Sequence, residues 1–127
     1  MIRPALVDTD VMVDFLRGQS MAVAFVCEHS TRIVLSSVVA AELYSGARGN
    51  AELTALDELL SLFRIIPLSR DIARIGGLFK RDYSKSHGVG LADAMVAATA
   101  VAENADLKTL NVRHYPMFKG LTPAYSK

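Results

Sequence analysis

Asp93 is the only charged side chain between His87 and Glu103, in the alanine-rich run GVGLADAMVAATAVA. A carboxylate in a segment suited to burial must be offset by a cation or by hydrogen bonds, because desolvating an unpaired charge is costly. Other oxygen-bearing side chains stand in comparable places. Asp8 directly follows the apolar Ala5-Leu6-Val7, Glu42 lies among apolar neighbours soon after Ile33-Val34-Leu35, and Asn111 follows Leu107 to Leu110. Oxygen donors that converge on one crevice repel one another unless a hard cation bridges them, and an oxygen-only set selects Mg²⁺ or Mn²⁺. The chemistry such a centre suits best is metal-assisted hydrolysis of a phosphodiester, by lowering the pKa of a bound water and neutralising charge on phosphate oxygens. Thr9 and Thr109 adjoin the candidate ligands and are placed to orient a carboxylate or a metal-bound water.

These side chains meet only if the chain brings their local elements to one edge. Strand patterns are expected at 5–7, 33–35, 63–67 and 107–110, with a fifth at 121–124, and helices at 11–17, 21–29, 37–44, 51–62, 69–85 and around Asp93. Strand and helix in alternation argue for an α/β fold: three α/β/α layers around a central, mostly parallel sheet of four or five strands. Ligands of such sheets bind outside the carboxyl ends of the strands, where Asp8 and Asn111 fall and which Glu42 and Asp93 can reach from the starts of their helices. Gly76 and Gly77, inside the long fifth helix, suggest a kink or a close helix contact there.

The bounds agree with a small enzyme. The 127 residues fit one domain, 1–127, and the 14 basic and 13 acidic residues leave a net charge of +1, which excludes a strongly basic nucleic-acid coat but not a local basic patch. Cys27 is the sole cysteine, so neither a disulfide framework nor a cysteine zinc site is expected. The start MIRPALVDTD lacks the zones of a signal peptide, and no uncharged run approaches the length of a membrane span; a cytoplasmic protein is expected.

Each candidate has a plainer reading. Asp8 is also a favoured helix N-cap, Asn111 also a turn residue, and Glu42 alone an ordinary helix residue. Asp10 and Asp14 read as helix-start and surface charges, and His29, His87 and His114 as scattered surface residues without metal-site spacing. Arg70, Arg74, Arg81 and Lys85 share one helix face, most simply a solvated one; Arg17, Arg113 and Lys119 are the better candidates for phosphate contact at the crevice mouth.

Two other functions fit parts of the pattern. Asp8-Thr9-Asp10 has the DxD spacing of haloacid-dehalogenase-type phosphatases, although Met12 stands where that motif has Thr or Val. A non-enzymatic receiver-like domain would also have acids after its first strand, but it needs one directly after the third, and the nearest acid there is Asp71, in the first turn of a helix.

The blocks VDTDVMVDFL, SSVVAAELYSG, LADAMVAATA and LKTLNVRHY resemble, in order and spacing, the four signature blocks of the PIN-domain ribonucleases, and among these the VapC-like toxins of bacterial toxin–antitoxin pairs. The resemblance implies a PIN-like fold and Mg²⁺- or Mn²⁺-dependent endonucleolytic cleavage of RNA. It matches Asp8, Glu42 and Asp93 to the acidic metal ligands and Asn111 to a fourth position that is often Asp, a departure that leaves open one metal against two, or an inactive member. It further implies a cognate antitoxin that docks a peptide over the acidic crevice, and a homodimer.

Overall fold

In the structure, a computed structural model that describes residues 2–127, four strands form one sheet in the order β3-β2-β1-β4, every pairing parallel. The strands are β1 Ala5–Val7, β2 Ile33–Ser36, β3 Arg64–Ile66 and β4 Asp106–Lys108. Six helices accompany them: α1 Thr9–Leu16, α2 Ser20–His29, α3 Ser37–Ser45, α4 Gly49–Leu60, α5 Arg70–His87 and α6 Leu91–Ala102. Every residue of the central strands β1 and β2 is buried, as a sheet covered on both faces requires, whereas the edge strands β3 and β4 each keep partly exposed positions. The layering is α/β/α. Leu6, Val7, Leu35, Val39 and Val96 are fully buried in the core, each contributing about 1.5–3 kcal/mol by leaving water.

From β1 the chain moves outward through β2 to β3, then returns to place β4 on the other side of β1. The carboxyl ends of β1 and β4 therefore flank the point where the connections diverge, the usual position of a ligand crevice in such sheets.

The expected fifth strand at 121–124 does not form. Ala124 donates one backbone hydrogen bond to the Thr109 carbonyl, 2.9 Å, and Pro123 has no N–H with which to continue a ladder. Strand β4 ends at Lys108, short of Leu110, because the Leu110 N–H turns to the Asp10 carboxylate, 2.9 Å away. Helix α1 starts at Thr9, two residues before the expected start, with Asp8 as its N-cap. Asp14 is buried rather than on the surface: its Oδ2 accepts from the Tyr125 hydroxyl and the Lys127 ammonium, each at 2.7 Å, which ties the chain end to α1. These bonds hold its carboxyl below the usual range, Lys127 contributing most.

Of the glycine pair, Gly76 makes the close contact. A Cβ there would lie 2.5 Å from Met95 Sδ and 3.3 Å from Met95 Cα, so its bare backbone lets α5 lie against α6; Gly77 faces open space. The contact seats α5 on α6, the helix whose first turn carries Asp93.

Candidate metal centre

Asp8 is placed by β1 and by its role as N-cap of α1, and it is almost wholly buried. Its Oδ1 accepts from the Thr9 N–H at 2.8 Å. Its Oδ2 accepts from two hydroxyls, Tyr115 at 2.7 Å and Thr109 at 2.9 Å. Capping and site membership are thus compatible, since one carboxylate does both.

Asp93 enters from the first turn of α6, half-buried, with its Oδ1 3.4 Å from the same Tyr115 hydroxyl. Its Oδ2 lies 3.1 Å from His114 Nδ1. Burial first, then the Asp8 charge, and to a lesser degree Glu42, push the Asp93 carboxyl above its ordinary value; His114 and Tyr115 act the other way. Glu42, exposed on α3, accepts at Oε1 from the Thr9 hydroxyl at 2.7 Å. The expected orienting role of Thr9 and Thr109 thus takes a definite form: Thr9 holds Glu42, and Thr109 holds Asp8.

Three residues read as peripheral, or not singled out, belong to the cluster. Asp10 does not face solvent: its Oδ1 accepts from the Val11 N–H at 2.8 Å, and its Oδ2 from the Leu110 and Asn111 N–H groups at 2.9 and 3.2 Å. It lies on the far side of Thr109, whose hydroxyl is 3.3 Å from Asp10 Oδ2, and burial and Asp8 raise its carboxyl pKa. His114, though half exposed, brings its Nδ1 against Asp93, a contact that is an ion pair when the imidazole is protonated. Tyr115 is buried beneath both carboxylates. A signal for it was available: a tyrosine within the apolar run Tyr115-Pro116-Met117-Phe118 must find a partner for its hydroxyl if it is buried.

Asn111 is exposed, and its contacts with the cluster run through its backbone N–H, to Asp10 and to the Thr109 hydroxyl at 3.1 Å. Arg17, the C-cap of α1, lines a groove with Glu42 between α1, α3 and α4. Arg113 is exposed on the 3-10 turn Val112–His114, beside the histidine that meets Asp93. Lys119 lines a hollow along the edge strand β4, with Arg3, Asp106 and Lys108.

Among the described residues, no three His, Cys, Asp or Glu side chains are already gathered in ligating geometry. The acids instead approach through hydroxyl donors, and burial with the Asp8 charge raises the pKa values of Asp10 and Asp93. An acidic set of oxygen donors in mutual repulsion is chemically suited to a hard divalent cation, and in this respect Asp8, Asp93 and Glu42 fit one.

Among known proteins, the family model described as PIN domain matches residues 5–115. Ribonuclease VapC19 of Mycobacterium tuberculosis is 43% identical over 124 residues, which cover 94% of this chain and 98% of that protein. Ribonuclease VapC10 of the same organism is 40% identical, with 95% and 92% covered. A chain of a toxin–antitoxin complex from Klebsiella pneumoniae superposes with a TM-score of 0.84 at 25% identity, over 97% of this chain and 99% of that one.

Proposed function

From the chain's membership of the PIN-domain family, we propose that it is a Mg²⁺- or Mn²⁺-dependent endoribonuclease, the toxin of a toxin–antitoxin pair. The observation that carries this reading is the approach of Asp8 and Asp93, from different elements, to the single hydroxyl of Tyr115 at the carboxyl end of the sheet. The names of the two mycobacterial relatives support ribonuclease activity, and the Klebsiella complex supports an antitoxin partner.

Asp8, Asp93 and Glu42 would hold the ion. Bound there, a divalent cation supplies a water of lowered pKa and offsets charge on the scissile phosphate. The chain's own part is to keep the donors oriented. Thr109 and Tyr115 fix Asp8, Thr9 steadies Glu42, and His114 lies against Asp93 at 3.1 Å. Asn111 enters as a backbone donor that secures Asp10. Arg17 and Arg113 are the side chains placed to steer RNA phosphates, and the antitoxin docks a peptide over the same crevice, competing with metal or RNA. A homodimer completes the proposal. The phosphatase reading is disfavoured because both Asp8 oxygens are engaged by donors, which blunts a nucleophile.

Asp8→Asn and Asp93→Asn test the assignment. Each should reduce Mg²⁺-dependent cleavage of RNA beyond the roughly 10–100-fold that changes outside the ligand set cost, while circular dichroism stays native. Undiminished cleavage by both variants overturns it.

A further inference from the structure

We propose that Tyr115 is a positioning residue for the nuclease, its hydroxyl setting how Asp8 and Asp93 face a divalent cation. The inference rests on the metal-dependent reading above and assigns a role to a side chain outside the ligand set.

Tyr115 is 1% exposed, and its ring packs in the main core. A phenylalanine would fill that space equally well. The hydroxyl is therefore the part that needs explaining, because a buried polar group is tolerated only when it is bonded. It lies 2.7 Å from Asp8 Oδ2 and 3.4 Å from Asp93 Oδ1, and its one proton goes to the nearer oxygen.

A neutral donor between two acids has a specific consequence. With Thr109 it occupies Asp8 Oδ2 from the protein side, which fixes the rotation of that carboxylate. The same oxygen atom stands 3.4 Å from Asp93 Oδ1, so the hydroxyl that holds Asp8 also sets how closely the second acid approaches it. Groups that hold metal ligands in this way typically change metal affinity or activity when removed, while contacting neither metal nor substrate.

The test compares wild type, Y115F, Y125F and Asp93→Asn in the full chain, with Mn²⁺ alone as the probe, followed by electron paramagnetic resonance. Y115F should bind Mn²⁺ about 10-fold more weakly, with kcat lowered, KM for RNA unchanged and a native circular dichroism spectrum. Y125F, which loses a tyrosine hydroxyl bonded to Asp14, should bind Mn²⁺ as wild type does. A measurement on the wild-type chain is independent of how the variant folds: with carbon-13 at the tyrosine ring carbon bearing the hydroxyl, the Tyr115 resonance should move during a Mg²⁺ titration. Equal Mn²⁺ affinity in Y115F and wild type, or a Tyr115 resonance that Mg²⁺ leaves in place, overturns the role of Tyr115 while leaving the nuclease reading intact if Asp93→Asn still loses binding. Absence of Mn²⁺ binding by wild type overturns both.

Discussion

Thr109 and Asp8, 101 residues apart in the chain, are joined by a buried hydrogen bond of 2.9 Å from the threonine hydroxyl to Oδ2. It links the carboxyl ends of β1 and β4 across the point where the connections diverge, and the Thr109 carbonyl is itself tied to the chain end through the Ala124 N–H.

Thr109→Val keeps the shape of that side chain and removes its donor. Asp8 then loses one of its two hydroxyl partners on Oδ2, and Asp10 loses a neighbour. The expected destabilisation is about 1–3 kcal/mol, the usual cost of leaving a buried acceptor short of a bond, read from urea unfolding. Thr109→Ser keeps the hydroxyl and should lose clearly less; a Thr109→Val chain as stable as wild type would show that the hydrogen bond contributes nothing.

Asp93 and Asp10 make metal-free stability depend on pH in a defined sense. Both folded-state pKa values are raised above 3.8, so the folded chain holds protons that the unfolded chain has released. Their favourable contribution is complete below the unfolded value and is lost as pH rises through the folded values. Asp14, lowered by Lys127 and Tyr125, works in the opposite sense, its contribution lost as pH falls through its folded value. In EDTA, Asp93→Asn should therefore gain stability relative to wild type as pH is raised from about 4 to 7, and Mg²⁺ should stabilise wild type more than the variant. A pH-independent difference in thermal midpoint would contradict this.

Asp8 and Asp93 were legible because their surroundings are apolar: Asp8 at a strand end after Ala5-Leu6-Val7, and Asp93 at a helix start in a run of alanines. Strand positions were legible for the same reason, since fully buried parallel strands read as continuous apolar runs. Asp10 was not. Its local sequence is that of an ordinary helix start, and the partners that turn it inward, Leu110 and Asn111, lie about 100 residues away, at separations of 100 and 101. The setting of Lys119, in a hollow along the edge of β4, could not be read from its proximity to Asn111 in sequence. His114 and Tyr115 depend on the 3-10 turn Val112–His114, which no hydrophobic period announces.

Gly76 and Gly77 should respond to alanine with opposite signs. At Gly77 the new methyl meets nothing within 4 Å, so the higher helix propensity of alanine should add about 0.5–1 kcal/mol. At Gly76 the methyl meets the Met95 sulfur, which can swing aside, and the Met95 Cα at 3.3 Å, which cannot move without shifting α6. Overpacking of that kind costs about 1–3 kcal/mol, enough to cancel the propensity gain and leave Gly76→Ala net destabilised. Because Met95 is two residues from Asp93, Gly76→Ala should also lower cleavage, whereas Gly77→Ala should not. Chemical unfolding and cleavage rates of the pair test both statements.

Arg113 and Lys119 separate phosphate steering from general surface charge. Each removes one positive charge when changed to alanine, so any effect of net charge is the same for both. Arg113 projects from the turn that carries His114 to Asp93, whereas Lys119 lines a separate hollow along the edge strand β4 with Arg3 and Asp106. If RNA crosses the acidic crevice, Arg113→Ala should weaken RNA binding and reduce the magnitude of the slope of log affinity against log salt by about 1, the signature of one lost phosphate contact. Lys119→Ala should leave that slope unchanged. Titrations of RNA at several salt concentrations, with the Asp93→Asn background used to prevent cleavage, distinguish the cases; identical slopes for Arg113→Ala and wild type would place the RNA path elsewhere.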